Sequence, residues 1–133
     1  MLPGMSFEER VVLITGGANG FGRATGARLA SLGARVVLAD IEEEAGREAA
    51  SEIGAEFFKC DVRDPEQSVA AVDHAVKTFG GLDFAFLNAG VSTGCGLVET
   101  FDLELYRRAM QINLDGVVFG INAAVPAMRR RGG

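Results

Sequence analysis

The sequence predicts an α/β fold in which helices cover both faces of a parallel sheet. Short apolar runs alternate with helical segments four times along the chain. The apolar runs are continuous and do not alternate with polar residues, as expected for strands that are buried on both faces. Glycine and aspartate stand where the runs end, which is typical of turns and helix starts.

The first strand is predicted at residues 10–15, a run rich in valine and isoleucine. It ends in a glycine-rich turn over residues 16–22. Apolar residues then recur at helical spacing from Ala24 to Leu32, and Gly33 supplies a C-terminal stop.

The second and third strands are predicted at residues 35–39 and 56–60. Asp40 closes the second strand, and Asp61 directly follows the third. Between them, residues 42–53 are predicted to form a helix, because acidic residues fill its first turn, where the helix dipole favours negative charge.

The second half of the sequence repeats the alternation. Asp64 and Pro65 are a capping residue and a first helical residue, so a third helix is predicted to begin there and to end at two glycines. The fourth strand is predicted at residues 84–87, followed by a glycine-rich loop over residues 89–100. A long last helix is predicted from about Asp102 towards Met128.

Composition and charge limit the classes of function that this chain can have. The chain has 133 residues, enough for one domain with a hydrophobic core. Its formal net charge of -5 argues against a general nucleic-acid binder, which would carry a basic surface. Cys60 and Cys95 are far apart in sequence and His74 is the sole histidine, so no metal site is expected.

No membrane segment is predicted, because the most apolar stretch, residues 117–128, is short and contains Asn122 and Pro126. Pro126 is expected to disturb the last helix. The first six residues lack the basic and apolar regions of a signal peptide. Together with the two thiols, this predicts a reducing, cytoplasmic location.

Three phosphate-binding motifs compete for the turn after the first strand, where a helix N-terminus offers free N–H groups. The P-loop is rejected because Arg23-Ala24 replace the required Lys-Ser/Thr, and the literal GxGxxG spacing is absent. The residues read Thr15-Gly16-x-x-x-Gly20-x-Gly22. This spacing resembles the TGxxxGxG loop of the short-chain dehydrogenase/reductase family.

Asp40 adds to this resemblance, since it ends the second strand 20 residues after Gly20. An acid at that position is suited to the adenosine ribose hydroxyls and would repel a 2′-phosphate. Ile41 adds no compensating cation. The resemblance therefore implies NAD in preference to NADP, although Asp40 can also cap the following helix.

Three further matches follow in chain order. Asp61-Val62 resemble the family's adenine-contacting pair, Asn88-Ala89-Gly90 its NAG motif, and Asn113 the helix Asn of its catalytic tetrad. Taken singly, these residues could also cap a turn, close a strand or lie mid-helix. The resemblance implies that Asn113 is catalytic, holding a water in a proton relay. It implies cofactor contacts from Gly16, Asn19, Gly20, Phe21, Gly22, Asp40, Ile41, Asp61, Val62, Asn88, Ala89 and Gly90.

The resemblance also implies a Rossmann-type doubly wound sheet of strand order 3-2-1-4, truncated before a fifth strand, in a single incomplete NAD-binding domain over residues 1–133. The family's chemistry requires a Ser and a Tyr-x-x-x-Lys pair. The sole tyrosine, Tyr106, is followed four residues later by Met110, so these 133 residues are predicted to be inactive alone. A natural truncation, a proteolytic product and an incompletely represented chain all remain open.

The implied function of the complete enzyme is alcohol/carbonyl interconversion on a small-molecule substrate. The alternative is a non-catalytic module that binds NAD or an adenine nucleotide. A hydrolase is rejected although residues 90–94 read GxSxG, because more glycines follow Ser92 where a helix is needed. A receiver-like signalling domain is also a poor fit, because the sequence lacks the acidic cluster that such a domain needs.

Homo-oligomerisation is predicted through the last helix or the exposed fourth strand. The apolar sequence of residues 84–87 carries no charge that would discourage edge pairing. On the last helix, Val117, Val118, Phe119 and Ile121 are candidates for the contact. Their alternative role is burial against the sheet.

Overall fold

Four parallel strands form a sheet at the centre of the molecule. The computed structural model describes residues 6–132. The strands are β1 (Val11–Thr15), β2 (Arg35–Asp40), β3 (Glu56–Lys59) and β4 (Phe84–Leu87), and they lie in the order β3-β2-β1-β4. The parallel pairing and the predicted order 3-2-1-4 are both confirmed.

Five α-helices accompany the sheet within the described part of the chain. They are α1 (Gly20–Ser31), α2 (Glu43–Ile53), α3 (Pro65–Phe79), α4 (Leu103–Met110) and α5 (Gly116–Arg131). α1 begins inside the segment predicted as a glycine turn, so that turn is shorter than expected. The cap predicted for α3 is confirmed, since Asp64 Oδ1 accepts a hydrogen bond of 2.9 Å from Glu66 N.

The predicted last helix is divided by a π-helical turn at Gln111–Asp115, which joins α4 to α5. The disturbance predicted at Pro126 is wrong in position, because α5 continues through Pro126 to Arg131. Pro126 removes the N–H that would bond the carbonyl of Asn122. Both residues are exposed, so water can take the place of that partner.

The core lies on both faces of the sheet, which explains the unbroken apolar runs. Successive β1 residues point to opposite sides. Val11 and Leu13 belong to the cluster beneath α3 and α5, whereas Val12 and Ile14 belong to the cluster beneath α1 and α2. All four side chains are buried. A sheet buried on both faces leaves its carboxyl-terminal edge as the natural place for a ligand.

Asp83 organises the opposite, amino-terminal edge of the sheet. Its carboxylate accepts hydrogen bonds from Val11 N at 2.9 Å and from Arg10 Nη1 at 3.2 Å, and Arg131 Nε lies 3.4 Å away. Burial alone would raise the pKa of Asp83, but the Val11 hydrogen bond and the two guanidinium groups outweigh burial and lower it. This carboxylate joins β1, the start of β4 and the end of α5.

Candidate functional site

A groove of about 270 Å³ opens where the carboxyl ends of the four strands meet. Its wall includes Gly16 after β1, Asp40 at the end of β2, Asp61 after β3 and Ala89 after β4. Seven of the predicted site residues line it, namely Gly16, Asp40, Ile41, Asp61, Val62, Ala89 and Gly90. The other predicted residues, Asn19, Gly20, Phe21, Gly22, Asn88 and Asn113, lie outside its lining.

The glycine loop is held tightly against the start of α1. A Cβ atom on Gly22 would lie 2.1 Å from the carbonyl oxygen of Gly16, which no side chain allows. Gly20 differs, since it has a φ of +54° and open space where its Cβ would be. No side chain therefore covers the start of α1 at Gly20, and an uncovered helix start with free N–H groups is a common place for anions to bind in proteins.

Asn19 and Phe21 flank Gly20 and both are exposed. Asn19 precedes α1 in an extended conformation, and its side chain makes no capping hydrogen bond. Phe21 is 84% exposed. Their side chains are therefore free to contact a ligand that lies across the start of α1.

Asn88 fastens the end of β4 to the glycine loop. Its Nδ2 donates to the carbonyl oxygens of Thr15 at 3.1 Å and Gly16 at 3.2 Å. Beside it, Ala89 N donates to Thr15 Oγ1 at 3.2 Å. The Asn88 amide thus holds the backbone that faces the groove, whereas the sequence alone predicted that Asn88 lies along the ligand.

Asp40 joins the glycine loop to the start of α2. Its Oδ2 accepts a hydrogen bond from Ala18 N at 2.9 Å, and its Oδ1 accepts one from Glu42 N at 3.0 Å. The cap of α2 is Glu42, so Asp40 forms a turn ahead of the helix and is not itself the cap. Each carboxylate oxygen keeps a second lone pair for a hydroxyl in the groove.

Asp61 is paired with a residue that the sequence did not single out. Arg63 Nη2 lies 2.6 Å from Asp61 Oδ2, and Arg63 Nε contacts both carboxylate oxygens. The hydrogen bond from the Arg63 guanidinium is the main reason that the pKa of Asp61 is lowered. The carboxylate is therefore ionised at neutral pH and is paired with the Arg63 guanidinium.

Apolar side chains complete the outer part of the groove. Ile41 and Ile112 contribute to the wall together with Val62, and Ile41 is 51% exposed. Cys60 lies beside them, and burial, followed by the nearby aspartates, raises the pKa of its thiol to about 11. The thiol is neutral at physiological pH, so it acts as a small apolar surface.

Asn113 lies in the π-helical turn and holds the loop after β4. Its Oδ1 accepts a hydrogen bond from Val91 N, and its Nδ2 donates to Val91 O, both at 2.8 Å. A carboxamide can make about four hydrogen bonds, so one N–H and one lone pair remain. π-Helical turns often mark functional sites, and this one aims Asn113 at the backbone that borders the groove.

Sequence reasoning missed several groove residues, namely Glu42, Cys60, Arg63, Val91, Arg108 and Ile112. Arg63 had a readable signal, because an aspartate two residues ahead favours a local turn. Ile112 adjoins the predicted Asn113. Arg108 had no such signal in the sequence.

Comparisons with known proteins agree with this geometry. The family model described as short chain dehydrogenase matches residues 10–133. The chain belongs to the short-chain dehydrogenase family. Its parallel 3-2-1-4 sheet is the Rossmann-type fold of that family.

Two curated dehydrogenases are similar to this chain in sequence. Trans-4-hydroxycyclohexanecarboxylate dehydrogenase of Sinomonas cyclohexanicum is 43% identical over 94% of this chain and 52% of its own length. Cyclohexanol dehydrogenase of Acinetobacter sp. (strain SE19) is 38% identical over 96% of this chain and 53% of its own length. The chain thus spans about half the length of these curated relatives.

Solved structures extend the similarity to the backbone. The crystal structure of 3-ketoacyl-(acyl-carrier-protein) reductase from Brucella melitensis, complexed with NADH, superposes with a TM-score of 0.90 at 32% identity. The match covers 96% of this chain and 53% of that one.

Two features are absent from the described part of the chain. Within residues 6–132, no group of three or more His, Cys, Asp or Glu side chains is placed to hold a metal ion. Across the same residues, no helix has both the length and the apolar character needed to span a bilayer.

Proposed function

We propose that this chain forms the cofactor-binding part of an NAD-dependent dehydrogenase that interconverts an alcohol and a carbonyl compound. The observation that carries the proposal is the position of Asp40, whose carboxylate lines the groove while it hydrogen-bonds the glycine loop through Ala18 N. An acid beside the start of a helix supports the binding of a ribose hydroxyl next to a phosphate group.

The residues present fit a dinucleotide. The pyrophosphate would lie over Gly20, where there is open space and the N–H groups of α1 are free. The adenosine ribose would bond the remaining lone pairs of Asp40, and the adenine would lie between Ile41 and the residues after β3. When bound, the nicotinamide ring supplies the site that accepts or donates a hydride.

Asp40 also supports NAD in preference to NADP. A 2′-phosphate on the same ribose would meet an ionised carboxylate, which is unfavourable at short range. Asp40 is followed in sequence by Ile41 and Glu42, neither of which supplies a cation.

Asn113 is proposed to contribute to catalysis in the complete enzyme. The two bonds to Val91 hold the carboxamide in place, and its remaining N–H and lone pair could hold one water molecule. A fixed water of this kind can pass a proton between a general acid and solvent. Since the 133 residues include no Tyr-x-x-x-Lys pair, we expect the isolated chain to bind cofactor with negligible turnover.

A calorimetric titration of the folded chain with NAD tests this proposal. We expect saturable one-to-one binding, and Gly22→Ala should abolish it because the added Cβ would collide with Gly16 O. Arg28→Ala is the control, since Arg28 is exposed in the last turn of the same helix, away from the glycine loop. No heat from a demonstrably folded wild-type chain would contradict the proposal.

A further inference from the structure

We draw no further inference here: the strongest candidate, the exposed apolar surface of Leu97, Val98 and Phe101 in the loop after β4, beside Tyr106 of α4, is an unpartnered face, and nothing in the part of the chain that the structure describes shows what covers it.

Discussion

At the scale of single residues, two carboxylates in the groove differ in how many further hydrogen bonds they can accept. Asp40 accepts one backbone N–H on each oxygen and keeps lone pairs for a ligand, whereas Asp61 also accepts hydrogen bonds from the Arg63 side chain. Two aspartates at equivalent strand ends therefore offer different chemistry. The difference arises from the residue two positions further on, which is Glu42 after Asp40 and Arg63 after Asp61. Both donate a backbone N–H, but only Arg63 adds side-chain hydrogen bonds to the carboxylate.

The position of Asp40 was readable from the sequence, and the hydrogen bonds of Asn88 were not. Strand ends can be predicted because the apolar runs stop there, and an acid at the end of β2 is visible directly. Hydrogen bonds that run from Asn88 to Thr15 and Gly16 depend on how β4 pairs with β1. The bonded residues are more than seventy positions apart in the sequence, so these contacts leave no local pattern.

Replacing Asp40 should change cofactor selectivity. In Asp40→Asn the negative charge is removed, so the preference for NAD over NADP should fall by about tenfold, which corresponds to about 1.4 kcal/mol. Calorimetric titration of both cofactors checks this expectation. Asp73→Asn removes the same charge from an exposed site on α3 and should leave the preference unchanged. A wild type that prefers NADP would contradict the role of Asp40.

At the scale of secondary-structure elements, strands and caps followed the sequence closely, and the last helix did not. β1 and β2 are buried on both faces, which produces continuous apolar runs, and the less buried β3 and β4 are apolar enough to be recognised as well. β3 ends only one residue before its predicted end. The π-helical turn at Gln111–Asp115 adds residues to a helical turn without a glycine or proline at its start. Its position is therefore set by packing, which single-sequence periodicity does not reveal.

Asp83 joins three elements, so its ionisation should control stability in acid. Its folded pKa is lowered by Val11 N, Arg10 and Arg131 acting against burial. Its stabilising contribution is therefore complete above the ordinary carboxyl pKa of about 4 and is lost as pH falls through the lower folded value.

The variant Asp83→Asn measures this contribution. At pH 7, urea unfolding should show a loss of about 1–3 kcal/mol, because a buried charged hydrogen-bond acceptor is replaced by a neutral one. The difference from wild type should shrink as pH falls below about 4, because Asp83 is protonated first in the unfolded chain and only at lower pH in the folded chain. A difference that is constant from pH 7 to pH 2 would contradict this explanation.

At the scale of the whole molecule, β4 is covered on one face and open on the other. Leu87 packs against Gly120 of α5, and Ala85 belongs to the core on the same face. Phe84 and Phe86 point the other way and are 46% and 38% exposed. On α5, Val118 and Ile121 are exposed while Val117 and Phe119 are half-buried, so the helix divides its apolar residues between the core and solvent.

The open face and edge of β4 should promote association between copies of the chain. Apolar edge strands without charged residues pair readily with other strands. Phe86→Lys should therefore lower the associated fraction in sedimentation velocity at a fixed concentration. Ile121→Lys is the comparison for the α5 surface. If the associated fraction falls only in Ile121→Lys, the contact lies on α5 and the β4 explanation is wrong.

The location of dinucleotide binding can be measured directly by nuclear magnetic resonance. Amide resonances of the labelled chain are recorded as NAD is added. We expect shifts at the carboxyl-terminal edge of the sheet, in the start of α1, at Asp40 and in residues 60–63, with Asp83 at the opposite edge unaffected. Saturable binding with shifts confined to the Asp83 edge, or no shifts in a folded chain, would contradict the proposed site.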